Sequence, residues 1–595
     1  MKFNKIYILF IGASILSTSC KDVLEAPSQS SLDEQVIYTT PVLAEGAYTG
    51  IVRCMGEVNF RARYIPYYGA NTDTELASNL DGDNSKDNVN ISNYNTKTSN
   101  SYFASSNGSS IWESPYTGIE RANIAIAAIK KYNNLTTNKE MAHLLGEILT
   151  IRAVYYSDLI KAFGDIPARF EPLNSSTINV PRSDKDVIYK QLLADLKEAE
   201  EYLAWPNENA KTRSVERVSK AFAKALRARI ALYAGGYSQR MDGTVRLSSD
   251  PDLSSDKMYQ IAKDECLDII QQKSNKLLGF EEVFRTLLKE NTTAGLESMW
   301  EVPYSTSRGR VTINLGVAHT TQDQYYTASK NNVTLLANPT MLYEYEKEDV
   351  RKDVTLVPYS WENGKQILST NYNKIYFGKF RAEWMTRPIG NGNDDGMNWI
   401  YMRYSDVLLM AAEAINELEG PTGPNDAQKY FRAVRERAYP NNPEKVNAYM
   451  DQITSGPDKF RTAIRHERAL EFTGEMLRKA DLIRWNLLSD RITTSSQKLE
   501  QLKNKQGIYA DLPTNVYYKY KADGISLDYY GFNIGDTDSY GAANYTNSAK
   551  MTMNTDYWTF IAARNPDLQQ YWPVPQFIIN NSNGTLTNGG VSYEQ

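Results

Sequence analysis

The sequence predicts a mainly α-helical protein in which four tetratricopeptide-like helix pairs form a scaffold and long, loop-rich insertions carry short strands. Three observations predict this. Apolar residues recur at three- and four-residue spacing in several segments of 15–25 residues, as amphipathic helices require. Glycine and proline stand where one helix would give way to its partner. The stretches between pairs are polar, irregular and rich in Asn, Ser and Tyr.

The first pair spans about Thr117 to Lys131 and Lys139 to Ala162, where Leu144, Ile148, Ile151, Tyr155 and Leu159 make one stripe. The second begins after Pro181, with Ser183 and Asp186 in a capping-box arrangement. Its first helix presents Ile188, Leu192, Leu196, Ala199 and Leu203. Its partner presents Val218, Phe222, Leu226, Ile230 and Tyr233, and ends at Gly235-Gly236. The third pair is Ser405 to Glu419 and Asn425 to Ala438, split by Gly420-Pro421 and Gly423-Pro424. The last is Pro457 to Phe472 and Glu475 to Leu488, hinged at Gly474. Pair starts near 117, 183, 405 and 457 keep no fixed period, which excludes a regular repeat array. Residues 20–595 therefore read as one domain: two pairs in 20–236, a loop-rich insertion over 237–400, then two pairs and an irregular tail in 401–595. The insertions are the expected seat of function, because loops on a rigid scaffold carry most binding residues.

The N-terminus reads as an export signal. Lys2 and Lys5 precede an apolar run from Ile6 to Leu16, and Ser17-Thr18-Ser19-Cys20 comes next. A Cys directly after small residues is where bacterial lipoprotein processing attaches lipid, so residues 1–19 are expected to be removed and Cys20 acylated. The usual pattern has Leu three positions before the Cys; here Ser17 stands there and Leu16 one place earlier. Several acyl chains anchor firmly, at about 0.8 kcal/mol per buried methylene.

Composition narrows the chemistry. With 66 Lys+Arg against 71 Asp+Glu the net charge is −5, which argues against a nucleic-acid partner. Three cysteines provide no disulfide framework. Tyr is abundant, at 41 against 17 Phe and 9 Trp, and a ring with a polar tip suits a surface that meets polar ligands. His466-Glu467 begins a zinc-protease motif, but the second histidine position is Leu470. Neither a nucleophile elbow nor a phosphate loop is present. In Asn391 to Met402 the twelfth position is Met402 where a calcium loop needs Glu, and in the stretch from Asp81 the sixth is Lys86, not Gly. These stretches leave room only for a looser calcium site; no metal or cofactor is expected. Glu467 and Glu471 lie one helical turn apart, but Arg468, Arg478 and Arg484 share the helix pair. Guanidiniums hold carboxylates ionised, the opposite of what a glycosidase acid needs. The cluster reads as an ion-pair network fixing the last two helices.

Several segments together resemble the SusD/RagB family, surface lipoproteins of Bacteroidetes. The run Arg403-Tyr404-Ser405-Asp406-Val407-Leu408-Leu409-Met410-Ala411-Ala412-Glu413-Ala414 is one. The segment Ile464 to Trp485 is another, with Glu467-Arg468, Glu471, Arg478, Asp481-Leu482 and Arg484-Trp485. Further matches are Trp112 with Tyr116, Arg182-Ser183, Ala221 to Tyr233, Asp349 with Arg351, and Trp572-Pro573-Val574-Pro575. Lys21-Asp22 after Cys20 is similar to the family's signal for display on the outer face of the outer membrane. The resemblance implies a non-catalytic binding protein, lipid-anchored in the outer membrane and facing the exterior. It implies a SusC-type TonB-dependent transporter as partner, with the helix pairs turned toward it and a loop-rich face holding an oligosaccharide or polysaccharide. In some members the cargo is a peptide, which stands as the alternative; a glycoside hydrolase is the distant third.

The signature residues are scaffold, so ligand contacts must be sought in the insertions. Aromatic faces stack on the C–H faces of sugar rings, and amides or guanidiniums bond to hydroxyl pairs. On this logic Tyr102, Tyr325, Tyr326 and Trp361 are the stacking candidates, with Asn93 and Arg308 as polar ones. Residues 81–110, with 7 Asn and 8 Ser, supply two of the six. Trp112, in a helix-start motif, is expected in the core.

Overall fold

A computed structural model describes residues 33–56, 65–80, 82–103, 110–306, 308–330, 333–390, 395–553, 560–591 and 593. The export signal and Cys20 lie outside the described residues. So do Asp81 and residues 391–394, and with them part of each stretch tested for a calcium loop.

Early in the chain lies α1 (Pro41–Val52), started by proline at its first position, where the missing N–H costs nothing. The first pair is α2 (Glu113–Tyr132) and α3 (Lys139–Phe163), the latter capped by Asn138, whose side chain accepts from the Met141 amide at 3.2 Å. The second is α4 (Lys185–Tyr202) and α5 (Lys220–Ala234). Asp184, not Ser183, caps α4, because Ser183 is held in a β-bridge to Ile166. Next comes α6 (Ser255–Gln272), which packs along α5, and α7 (Phe280–Leu288). Both fall inside 237–400, so that segment is more helical than its irregular composition suggests.

The third pair is α8 (Tyr404–Glu419) and α9 (Ala427–Ala438), with α6 lying against α8. After α10 (Pro443–Ile453) comes α11 (Pro457–Phe472). The expected single partner over Glu475–Leu488 is instead two helices, α12 (Arg478–Arg484) and α13 (Leu488–Asn504). The break falls where Asn486 takes a left-handed φ of 56°. The turn at Gly474, with φ 87°, does separate α11 from α12, and an added Cβ there would lie 2.8 Å from the Phe377 ring.

Strands are short and antiparallel. β1 (Ser298–Val302) pairs with β4 (Trp399–Arg403), and β2 (Tyr359–Glu362) forms a hairpin with β3 (Lys365–Leu368). A three-stranded sheet joins β5 (Val516–Tyr520) centrally to β6 (Leu527–Tyr530) and β7 (Asn547–Ala549). Trp112 is buried as expected, its ring 5.0 Å from that of Phe163. Cys54 and Cys266 are buried, and no helix among the described residues is long and apolar enough to cross a membrane.

The charged signature residues form a buried lattice that reaches well beyond the last two helices. Arg403, at the end of β4, bonds to Glu297, Glu471 and Glu475 at 2.7–2.8 Å. Arg351 bonds to Asp349 and Glu467 at 2.7 Å and to Glu471 at 3.2 Å. Arg468 bridges Asp406 of α8 and Asp481 of α12, and Arg484 bridges Asp481 and Glu413. Burial alone would raise the Glu471 pKa; the guanidiniums of Arg437, Arg403 and Arg351 outweigh it and hold the carboxyl well below the usual range.

Removing one member leaves buried charges unpaired, so Glu471→Gln is expected to lower the unfolding free energy by about 3–5 kcal/mol. Because the folded pKa is depressed, this contribution is fully present above the unfolded value of about 4.3 and is lost as pH falls toward the folded one. Urea titrations should give a gap between wild type and variant that is flat from about pH 7 to pH 5 and narrows below about pH 4. A gap under about 1 kcal/mol would remove the network's structural role.

Candidate functional site

The β2–β3 hairpin turns at Asn363-Gly364, with φ 47° and 72°. Two left-handed residues make the turn whose twist matches a hairpin, and Asn-Gly is its favoured sequence. Alternation along β2 sends Tyr359 and Trp361 to one face. Gln366 of β3 then ties the hairpin to β6: its amide donates to the Ile525 carbonyl at 3.0 Å, and its Oε1 accepts from the Leu527 amide at 2.8 Å. Between hairpin and sheet lies an open cleft of roughly 660 Å³. Tyr325, Tyr359, Trp361, Trp384 and Tyr529 bring rings to it; Lys352, Arg381, Glu383 and Asp528 bring charge.

Tyr325 is half-buried and held by its backbone. The Asp323 carboxylate accepts from the Tyr325 and Tyr326 amides at 2.8 and 2.9 Å, while its other oxygen lies 2.6 Å from Nδ1 of buried His319. Burial pushes the Asp323 carboxyl up, but these bonds outweigh it and leave its pKa below the ordinary value. His319 lies parallel to Trp361 with centroids 5.9 Å apart, and the Tyr325 ring meets Trp361 edge-on at 4.9 Å. Asp323 thus sets the turn, His319 backs the indole, and Tyr325 projects beside it.

On the other wall Arg381 is satisfied without a carboxylate. It donates to the carbonyls of Gly378 and Asp353 at 2.6 and 2.8 Å, and to the Tyr359 hydroxyl at 3.3 Å. The Tyr359 hydroxyl donates in turn to Glu383 Oε1 at 3.0 Å. Oε2 of Glu383 is buried with no hydrogen-bond partner among the described residues, which leaves an acceptor at the cleft. The guanidiniums of Arg285 and Arg381 stand 4.3 and 4.2 Å from the centroid of Trp384. Lys352 donates to the Phe532 carbonyl and Asn533 Oδ1 at 2.7 and 2.6 Å, and burial pushes its pKa down to about 8. Burial drives several acids up elsewhere, among them Glu301 to about 7 and Asp395 to about 6, and neither of these lines the cleft. The arrangement can stack rings and exchange hydrogen bonds with hydroxyls.

Of the six residues nominated from sequence, Tyr325 and Trp361 line this cleft. Trp361 is only 2% exposed, so it forms the floor and is not the free-standing platform its loop setting suggests. Tyr326 is 1% exposed: its ring packs against His319 and its hydroxyl lies 2.8 Å from that of Thr312, leaving no open face. Tyr102 lies elsewhere, its ring 4.6 Å from that of Tyr67, and Asn93 donates to Asn84 at 2.9 Å. Arg308 is exposed and does not line the cleft. Sequence reasoning misses Trp384, Tyr359, Glu383 and Tyr529. The Asn-Gly turn signal at 363–364 points to the hairpin, Trp384 is one of several aromatics that stand out in the insertion, and nothing local marks Glu383 or Tyr529.

The chain has relatives that share this architecture. Residues 309–590 match the SusD family, and residues 57–232 match a family described as "Starch-binding associating with outer membrane". A SusD-like protein of Formosa agariphila is 27% identical over 423 residues, 64% of this chain and 71% of that one. A second from the same organism is 26% identical over 508 residues, covering 81% and 91%. Among solved structures, a SusD homolog from Bacteroides thetaiotaomicron superposes with a TM-score of 0.71 at 18% identity, covering 93% of this chain and 98% of that one. Surface glycan-binding protein A of the same species, in complex with laminarihexaose, gives 0.60 at 16% identity, covering 92% and 99%.

Asp323→Ala would strand the two amides and the imidazole it serves. The expected cost is about 1–3 kcal/mol in urea unfolding, together with a changed near-UV signal from Trp361. An unchanged midpoint would remove Asp323 from the construction of the cleft.

Proposed function

The chain belongs to the SusD family, whose members are non-catalytic binding proteins, and from that premise we propose that it is a surface-exposed outer-membrane lipoprotein that binds a glycan in the aromatic cleft and delivers it to a SusC-type TonB-dependent transporter. The cleft carries this reading. Half-buried Tyr325 stands beside the Trp361 floor, next to a Glu383 oxygen with no partner among the described residues. Sugar C–H faces meet the rings through apolar area, while hydroxyls bond to Glu383 and the neighbouring amides. Each contact replaces water, so single contributions are small and several rings must act together. The glycan bound by a structural neighbour, laminarihexaose, is consistent with such chemistry.

Affinity electrophoresis through gels containing individual polysaccharides tests the site. A stacked ring contributes about 0.5–1.5 kcal/mol, so Tyr325→Ala should weaken retardation by the cognate glycan about two- to tenfold. Tyr102→Ala should leave it unchanged. Retardation that survives both Tyr325→Ala and Glu383→Gln would place the ligand elsewhere, and release of shortened products would make the protein a hydrolase.

The tether has a separate test. Cys20→Ala should move the protein from the membrane to the soluble fraction and leave glycan affinity unaltered, since the acyl chains supply the anchoring. Retention in the membrane fraction would overturn the lipid attachment.

A further inference from the structure

A second cavity, of roughly 190 Å³, lies among α11, α12 and α13 and shares no lining residue with the cleft. Its walls hold four permanent or near-permanent cations, Arg465, Arg478, Arg491 and Lys498, against two carboxylates, Asp73 and Glu344. Both carboxylates are already taken. Asp73 receives a two-pronged bond from Arg478 at 2.8 and 2.7 Å, and Glu344 is paired with Lys498.

Arg465 and Arg491 are left over. The Arg465 side chain makes no hydrogen bond and no ion pair among the described residues; its guanidinium lies 5.3 Å from the centroid of Trp485, and its Nε is buried and unpartnered. Arg491 makes a single ion pair among the described residues, a 3.8 Å approach to neighbouring Asp490, and lends its charge to Asp73, which Arg478 already holds; its Nε is likewise buried without a partner. Burial, with Arg461 and Arg484 nearby, pushes the Arg465 guanidinium below its usual range in spite of Glu413 and Glu417. Thr340, Thr462, Thr494 and Ser495 add hydroxyls to the same walls. Elsewhere in α9, α11 and α12 the buried guanidiniums meet carboxylates. A guanidinium partly withdrawn from water and denied a close anion is costly, and one forked group matches an oxyanion through two parallel bonds.

We propose that this cavity is an anion site, in which Arg465 and Arg491 together hold one compact oxyanion: a sulfate, a phosphate or a carboxylate. Lys498 and Arg491, each about one-third exposed, stand at its mouth and leave it open to solvent. The oxyanion comes either free from solution or as a substituent on a sugar, and the chemistry of the site is the same for both.

Thermal unfolding of the full chain in sodium sulfate and in sodium phosphate, each against sodium chloride at matched ionic strength, tests this. Sulfate or phosphate should raise the midpoint saturably at millimolar concentration. Arg465→Met and Arg491→Met should each weaken that binding about tenfold or more, as loss of a charge-assisted pair does. In chloride alone Arg465→Met should be no less stable than wild type, because a partly dehydrated charge without an ion pair has been removed; that outcome also shows that the variant folds. A parallel titration with glucose 6-sulfate and glucose identifies the source: tighter binding of the sulfated sugar supports a glycan substituent, and parity with inorganic sulfate supports the free ion. Equal stabilisation of wild type and both variants would reveal a general exclusion effect of these salts and overturn the site. So would the absence of any response to all three anions.

Discussion

Much of the structure depends on a solvation constraint: a guanidinium buried beyond the reach of water must find acceptors arranged around it, and in the helical frame those acceptors are carboxylates. Arg403 and Arg351 are both essentially inaccessible and each meets several acids. Such pairs are weak sources of net stability, because desolvation offsets most of the attraction. They are strong sources of registry, since a shift of one helix against another would leave several charges bare at once. Apolar stripes can slide; this lattice cannot. It therefore locks α8, α9, α11 and α12 to the segment around residue 350 in one arrangement.

That locking reaches the cleft by a short route. Arg351 belongs to the lattice, and the next two residues do not: Lys352 bonds to the loop after β6, and the Asp353 carbonyl receives Arg381. Arg381 then touches the Tyr359 hydroxyl, which touches Glu383. One wall of the cleft is thus fixed to the ion-pair frame through three consecutive residues. The opposite wall is set locally, by Asp323 and His319 behind Tyr325 and Trp361.

The helix pairs are legible because a 3.6-residue stripe is a local property of sequence. The departures have physical causes. Ser183 and Asp184 are both good caps, and the β-bridge at Ser183 decides between them. The arm after Gly474 breaks at Asn486, a residue that tolerates left-handed backbone at little cost. α6 is hidden inside a segment of irregular composition, where its packing on α5 and α8 supplies what the pattern does not announce. The cleft is only partly legible, for it gathers rings from positions 325, 359, 361, 384 and 529, whose proximity no linear spacing encodes. Exposure is the hardest property to read: Tyr326 and Trp361 sit in polar neighbourhoods of sequence yet are covered in space. By the same token Arg465 cannot be told from Arg468 in the string of letters, although Arg468 meets two carboxylates and Arg465 meets none among the described residues.

The hairpin tip bears on how this scaffold can diversify. Asn363 and Gly364 are joined to the rest of the fold through their flanking strands and one bond from the Asn363 amide to the Thr321 hydroxyl, and Gln366 acts as a clip behind them. Residues can be gained, lost or exchanged at that tip without any charge in the frame noticing. Natural drift, or a randomised library confined to the rim, can therefore retool what is grasped while inheriting an unaltered chassis.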